Sequence, residues 1–445
     1  MSDRPEAVRG LSLPGASLSV LAVERERGDV VASASPERAL APASNTKLVT
    51  AALALDRLGP DYRYETRVVR DGPITDGVLG GDLALVGTGA PDVEAGDVAT
   101  LAAEVSREID RVEGDLLVDG TRFSGDRFGP GWTRGDQRYY YGAPSSAVAL
   151  ERNQVTVTVT LTEAGAAPSV SVAPDTPAVA VDADVTVDPG ATTDDLGAYA
   201  DPDDGTVTLR GRLPPDAGAV ERPVPVLAPE SHAGLAVRSA LGARGVDVDG
   251  AVRVADDRRE RDRKPTDCRR VVASVESAPV RRLVREMNVP SDNFVAEQLA
   301  RTVARDAAGE GSWEAWESLV ADHFASLGVD TVRVRDGSGL SRYNLVPARG
   351  LVAHLRWADD RPWAGAFFGS LPEPGEGTLS ERLDGVSVAA KTGTITGTSA
   401  LSGVVRRGGA EDVLFCVLHG GLTAAGSDAA RETQDAFVRW LADAA

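Results

Sequence analysis

The segment Pro42-Ala43-Ser44-Asn45-Thr46-Lys47 runs straight into Leu48-Val49-Thr50-Ala51-Ala52-Leu53, and the apolar residues past Lys47 recur at helical spacing. Ser44 therefore sits at the first turn of a helix, with Lys47 three positions on along the same face. Taken alone, a serine before a helix is a cap and a lysine in the first turns is a solvated charge. The composition argues otherwise. Of 47 basic residues only three are lysine: Lys47, Lys264 and Lys391. An amine can lose its proton and a guanidinium cannot, so a lysine at position 47 differs in kind from the arginines around it. A hydroxyl one helical turn from such an amine is a nucleophile with a candidate base in reach.

At 445 residues and 42% hydrophobic content, the chain can hold two or three domains with ordinary cores. A formal charge of −20 argues against nucleic acid or an anionic membrane as partner. The acidic excess, with arginine replacing lysine, reads as a halophilic composition. Cys268 and Cys416 stand far apart, Cys416 inside the apolar run 413–418, and form neither a disulfide framework nor a metal pattern. The four histidines (232, 323, 354, 419) contain no pair at i, i+4, which excludes a zinc-hydrolase helix, and no Gly-x-Ser-x-Gly elbow occurs. Neither a metal nor a cofactor is expected. No stretch reaches transmembrane length, and the first ten residues lack the apolar segment of a signal peptide, so the sequence as it stands reads as cytoplasmic.

In chain order, residues 17–24 and 29–34 read as two strands of a hairpin, followed by the Ser44 helix and a stop at Leu58-Gly59-Pro60. Alternating segments at 64–69, 82–86 and 114–118, with a helix near 97–110, suggest a small α+β unit. Residues 155–215 open on Val-Thr-Val-Thr-Val-Thr-Leu and continue rich in Pro, Asp, Ala and Thr, a β-rich excursion with long turns. A helix near 233–244 and a strand near 250–255 return to the preceding unit, and the charged run 256–264, with Lys264, reads as a solvated loop. Helices are expected at 278–287, 292–306, 312–327 and 346–358. Strands at 386–392, 398–406 and 412–419 precede a last helix at 427–443. The two N-terminal and three C-terminal strands combine into one five-stranded antiparallel sheet flanked by helices. This α+β architecture assigns 1–65 and 270–445 to one domain, 66–154 and 216–269 to an inserted α+β domain, and 155–215 to a nested β-rich subdomain.

Two further motifs complete a set. Ser291-Asp292-Asn293 opens the helix Phe294–Leu299, and alone would be a helix cap. Lys391-Thr392-Gly393-Thr394 lies on a predicted strand, and alone would be an edge lysine before a glycine. Together with Ser44-x-x-Lys47, and in this order, they are the set carried by penicillin-binding proteins and class A β-lactamases. The blocks Ala41–Lys47, Gly80–Leu83, Pro130–Trp132, Tyr141–Pro144, Asp336–Arg342 and Lys391–Gly393 extend the likeness over nearly the whole chain. The sequence resembles the D-alanyl-D-alanine carboxypeptidase/endopeptidases, the class C low-molecular-mass penicillin-binding proteins.

That resemblance implies a transpeptidase-like domain of the penicillin-binding-protein and serine β-lactamase type, a second domain inserted between the first two motifs, and a third nested within it. It implies that Ser44 is acylated and that Lys47 takes its proton. Ser291 relays a proton to the leaving amine, Lys391 holds the network's charge, and Asn293 holds the substrate amide. The backbone N–H groups of Ser44 and Thr394 form the oxyanion hole, and Thr392, beside Gly393, binds a terminal carboxylate. Asp136, Tyr141 and Arg342 match the positions with which some relatives recognise a diaminopimelate side chain. The sequence departs from the pattern at Thr396, where some relatives have glutamine, and at Gly89-Ala90-Pro91, where an aspartate commonly precedes the proline. The implied partners are D-amino-acid peptides and β-lactam inhibitors. A β-lactamase or esterase on the same fold, or an idle peptide-binding relative, are the alternatives. Relatives are usually periplasmic or extracellular, so an exported form is a further expectation.

Overall fold

Strands from the two ends of the chain pair with each other. Ser17–Glu24 (β1) and Val30–Ala34 (β2) form the hairpin, and Val388–Ile395 (β3), Thr398–Val405 (β4) and Val413–Gly420 (β5) follow near the C-terminus. All pair antiparallel in the order β2-β1-β5-β4-β3, with Val20 opposite Val417 and Lys391 opposite Ser402. In the computed structural model, which describes residues 6–161, 168–255 and 270–443, this sheet belongs to a unit made of Met1–Tyr62, Gly129–Gly131 and Pro279–Ala445.

Successive side chains of a strand point to opposite faces. One face of the sheet carries Val20, Ala22, Ala390, Leu401, Phe415 and Val417 into a core with Phe437, Val438 and Leu441 of the terminal helix, Ala424–Asp443. That helix starts three residues before the expected 427, because Gly426 N donates to Thr423 Oγ1 (3.2 Å) and Thr423 acts as its cap. The other face meets the helical block: Thr46–Arg57 (α1), Val280–Asn288 (α2), Asn293–Ala308 (α3), Trp313–Ser326 (α4) and Ala348–Asp359 (α5). Every residue of α1 from Thr46 to Leu55 is buried. A helix covered on all sides is a central one. Ser44 does not itself belong to α1. It lies in a 3₁₀ turn, Ala43–Asn45, whose N-cap position, Pro42, supplies no side-chain hydrogen bond.

The second unit comprises Arg63–Phe128 and Trp132–Ala278. Its mixed sheet contains Glu65–Asp71, Asp82–Val86, Leu116–Asp119, Val252–Val254 and Arg270–Glu276. The helix expected at 97–110 is Ala95–Val105, begun early by a capping box in which Glu94 N donates to Asp97 Oδ2 (2.9 Å). Residues 155–215 fall within this unit. Strands between Gln154 and Pro225 form two three-stranded sheets that close on Val157, Leu209, Leu213 and Val224. The charged run 256–264, Lys264 and Cys268 lie outside the described residues. Among the described residues no helix is long and apolar enough to cross a membrane.

Candidate active site

Three elements of the first unit converge at the start of α1. The first is the turn before it, where Ala43 adopts φ +47°, the left-handed region that a residue with a Cβ enters at a cost. Asn45 Nδ2 donates to Ser402 Oγ (2.9 Å), tying this turn to β4. The second is β3. Lys391 and Gly393 face the turn, Ala390 enters the core on the opposite face, and Thr392, on this edge strand, donates its hydroxyl proton to Thr378 Oγ1. Position 393 must be glycine for the approach to be possible: a Cβ there would lie 2.7 Å from Pro42 O and 3.1 Å from Ser44 N. The third is α3, whose Asp292 caps it by accepting from Val295 N (3.0 Å). Ser291, just before that cap, is held at φ +64°.

Lys47 is the hub. Its Nζ is 3.1 Å from Ser44 Oγ, 2.6 Å from Asn293 Oδ1 and 2.9 Å from Ser338 O, and the residue is fully buried. Burial lowers the Lys47 ammonium from 10.5 to about 8, against the opposing pull of Glu297, Asp292 and Asp336. Lys391 is also fully buried, and burial together with the charge of Lys47 holds its pKa well below the ordinary lysine value. Its Nζ donates to Thr392 O (3.0 Å). The charge of Lys47 thus disfavours protonation of the second buried amine, Lys391.

The third ligand of Lys47, the Ser338 carbonyl, is positioned by a buried carboxylate in α3. Glu297 accepts from Gly337 N (2.7 Å) and Ser338 N (2.9 Å), and Thr50 Oγ1 of α1 donates to Gly337 O (2.6 Å). Burial, with Asp336 nearby, raises Glu297 to about 8. Asp336 gathers the rest of this loop by accepting from Gly339 N, Ser341 N and Asn344 Nδ2. Gly339 packs against the nucleophile turn at φ +89°, where a Cβ would fall 1.8 Å from Ala43 O.

Ser44, Lys47 and Asn293 are therefore joined by direct hydrogen bonds, and Lys391 is close enough for the charge of Lys47 to lower its pKa. Ser291 makes no side-chain hydrogen bond among the described residues. Thr392 is half-buried and donates to Thr378 Oγ1 (2.8 Å), while Thr394 is exposed. Of the three residues expected to read a substrate side chain, Arg342 belongs to the first unit and is exposed. Asp136 and Tyr141 belong to the second. There Asp136 is buried and accepts from Thr133 N (2.8 Å) and Thr133 Oγ1 (2.6 Å), and Tyr141 stacks on Tyr139 with ring centroids 5.7 Å apart. Sequence pattern alone assigns no role to Glu297, Ser338 or Thr378, although the first two lie in the helix Phe294–Leu299 and the block Asp336–Arg342. Glu297 lies four residues after Asn293 in a helix, so the two share a face, and that register is the signal that points to it. Among the described residues no group of three or more His, Cys, Asp or Glu side chains is placed to hold a metal ion.

The model of the D-Ala-D-Ala carboxypeptidase 3 (S13) family matches residues 6–444. A D-alanyl-D-alanine carboxypeptidase from Actinomadura sp. (strain R39) is 35% identical over 433 residues, covering 92% of this chain and 79% of that protein. Among solved structures, penicillin-binding protein 4 from Haemophilus influenzae superposes with a TM-score of 0.81 at 24% identity, over 100% of this chain and 99% of that one. A predatory peptidoglycan endopeptidase from Bdellovibrio bacteriovorus shares the fold at a TM-score of 0.53 and 15% identity, covering 95% and 93% of the two chains. The chain thus belongs to the D-Ala-D-Ala carboxypeptidase 3 (S13) family and is a serine-type carboxypeptidase.

Proposed function

We propose that the chain cleaves peptides ending in D-Ala-D-Ala, and peptidoglycan-type cross-links at the same bond, through an acyl-enzyme on Ser44. The observation that carries this reading is the contact of 3.1 Å between Ser44 Oγ and the Nζ of a fully buried lysine whose pKa is lowered to about 8. A neutral Lys47 accepts the Oγ proton as Oγ attacks the carbonyl. The developing oxyanion is received by the N–H groups of Ser44 and Thr394, each such donor being worth roughly 10² to 10³ in rate. Asn293 Oδ1 accepts from Lys47 Nζ. Asn293 also holds the substrate amide in this reading. Ser291 passes a proton to the leaving amine with Lys391 helping to hold the network's charge, and Thr392, beside Gly393, receives the terminal carboxylate. Water then releases the acyl group.

β-Lactams, which place a strained carbonyl and a carboxylate at the same distances, are expected to acylate Ser44. The relative from H. influenzae has been crystallised with one. Asp136, Tyr141 and Arg342 are proposed to read the side chain of the acyl donor. The acidic excess, 67 Asp and Glu against 47 Lys and Arg, supports function in high salt. A wall-trimming role supports an exported location. The test is incubation with a peptide ending in D-Ala-D-Ala in high salt. Release of D-alanine by the wild type and not by Ser44→Ala is expected; rapid turnover of penicillin instead would favour a β-lactamase, and peptide binding without acylation an idle binder.

A further inference from the structure

We propose that Thr378 is a positioning residue that makes the site selective for a free carboxylate at the leaving end of the substrate, an inference that rests on the acyl-enzyme reading above. The hydroxyl of Thr392 is the group expected to meet that carboxylate, and its partner is Thr378 Oγ1, 2.8 Å away. Thr378 sits in a short turn, Gly377–Leu379, which is fixed against a different motif. Thr378 N donates to Val289 O (3.2 Å), and Gly377 adopts φ +45°, where a Cβ would lie 2.1 Å from the same carbonyl. Val289 follows α2 and is separated from Ser291 only by Pro290. One residue therefore registers the Lys-Thr-Gly strand against the Ser-Asp-Asn turn. The pair opens on a cleft of about 760 Å³ whose other lining includes Thr394, the ion pairs Arg382–Asp435 and Arg431–Asp428, and the carboxylates of Glu381 and Glu432, so selectivity for an anion must come from the hydroxyl pair itself.

A hydroxyl has one proton to give and two lone pairs to offer. With no anion present, Thr392 gives its proton to Thr378. A carboxylate arriving at Thr392 takes that proton as a charge-assisted hydrogen bond. Thr378 then reverses and donates to Thr392 Oγ1, which makes Thr392 the stronger donor. Only two hydroxyl rotors turn; no covalent bond forms or breaks. A neutral ester or amide terminus gains much less from the same reversal, and the difference is the selectivity.

The experiment compares second-order acylation of Ser44 by benzylpenicillin and by its methyl ester, read by intact mass. Removing the hydroxyl with Thr378→Val is expected to lower the free-acid to ester rate ratio about tenfold, the scale of one hydrogen bond to a charged group. Thr378→Ala, which adds no bulk, is read in the same way, and Thr378→Ser is expected to restore the ratio. Thr392→Val is expected to lower it as well, and Thr378→Val added to Thr392→Val to lower it no further. An unchanged ratio in both Thr378→Val and Thr378→Ala, or a Thr378→Ser variant as unselective as they are, overturns the proposal. A wild type that neither compound acylates overturns the acyl-enzyme reading, and this proposal with it.

Discussion

If Lys47 is the base, the rate of Ser44 acylation follows the neutral fraction of one buried amine. Burial brings that amine from 10.5 to about 8. At pH 7 its neutral fraction is then about one tenth, against about 0.0003 for an unperturbed lysine, a gain of roughly 300-fold in competent base. Below pH 8 the rate is expected to rise about tenfold per pH unit and then to level off, so that pH 9 is roughly ten times faster than pH 7. The assay is the initial rate of penicillin acylation between pH 6 and 9.5, with folding checked at each pH. Glu297 supplies the discriminating variant. Its charge raises the pKa of Lys47, so Glu297→Gln is expected to move the midpoint to lower pH. Lys47→Arg keeps a charge but not a base, and is expected to reduce acylation by roughly 10² to 10⁴. The larger side chain in a fully buried position costs about 1–3 kcal/mol of stability. A flat profile from pH 6 to 9.5, or a Lys47→Arg enzyme acylated at near wild-type rate, refutes the assignment.

Other consequences can be measured separately. Burial raises Glu297 from 4.5 to about 8, so its contribution to stability is fully present below about 4.5 and is lost as pH rises through about 8. Denaturant titrations should show that slope flattened in Glu297→Gln, and an unaltered slope would show that the carboxyl keeps its ordinary pKa. Gly393→Ala places a Cβ 2.7 Å from Pro42 O, a backbone atom that cannot step aside cheaply. Acylation is expected to fall at least about tenfold, the rate penalty of a misplaced nucleophile turn, with the fold retained by circular dichroism. With 67 acidic against 47 basic residues, self-repulsion should ease as salt shortens the screening length from about 10 Å at 0.1 M to about 3 Å at 1 M. The melting temperature is expected to climb steeply over that range, and a flat curve would remove the salt argument. Fractionation of the source cells, probed with an antibody, is expected to find the protein outside the cytoplasmic membrane.

Features set by short-range pattern were legible in the sequence. The hairpin, the strands after residue 386 and α1 all show periodicity over a few residues, and the Ser44–Lys47 contact needs only one helical turn. Element starts moved where a side chain caps the backbone, as Asp97 does for Glu94 N and Thr423 for Gly426 N. Ser44 lies in a 3₁₀ turn instead of the helix because Ala43 takes a left-handed φ, a choice the alanine itself does not signal. Glu297 looks like a surface acid in a helical run, and its burial follows only from the distant loop 336–339 folding onto it. The Ser338 carbonyl carries no side-chain signature at all. The pairing of Thr378 with Thr392 depends on tertiary placement of two loops, which no local spacing encodes.

The central claim is that Ser44 forms the covalent acyl intermediate, and intact-protein mass spectrometry after exposure to benzylpenicillin tests it most directly. The account predicts one adduct of the full mass of the antibiotic, mapped by peptide digestion to Ser44 and absent from Ser44→Ala. An adduct that persists in Ser44→Ala, or maps to any other residue, would contradict it.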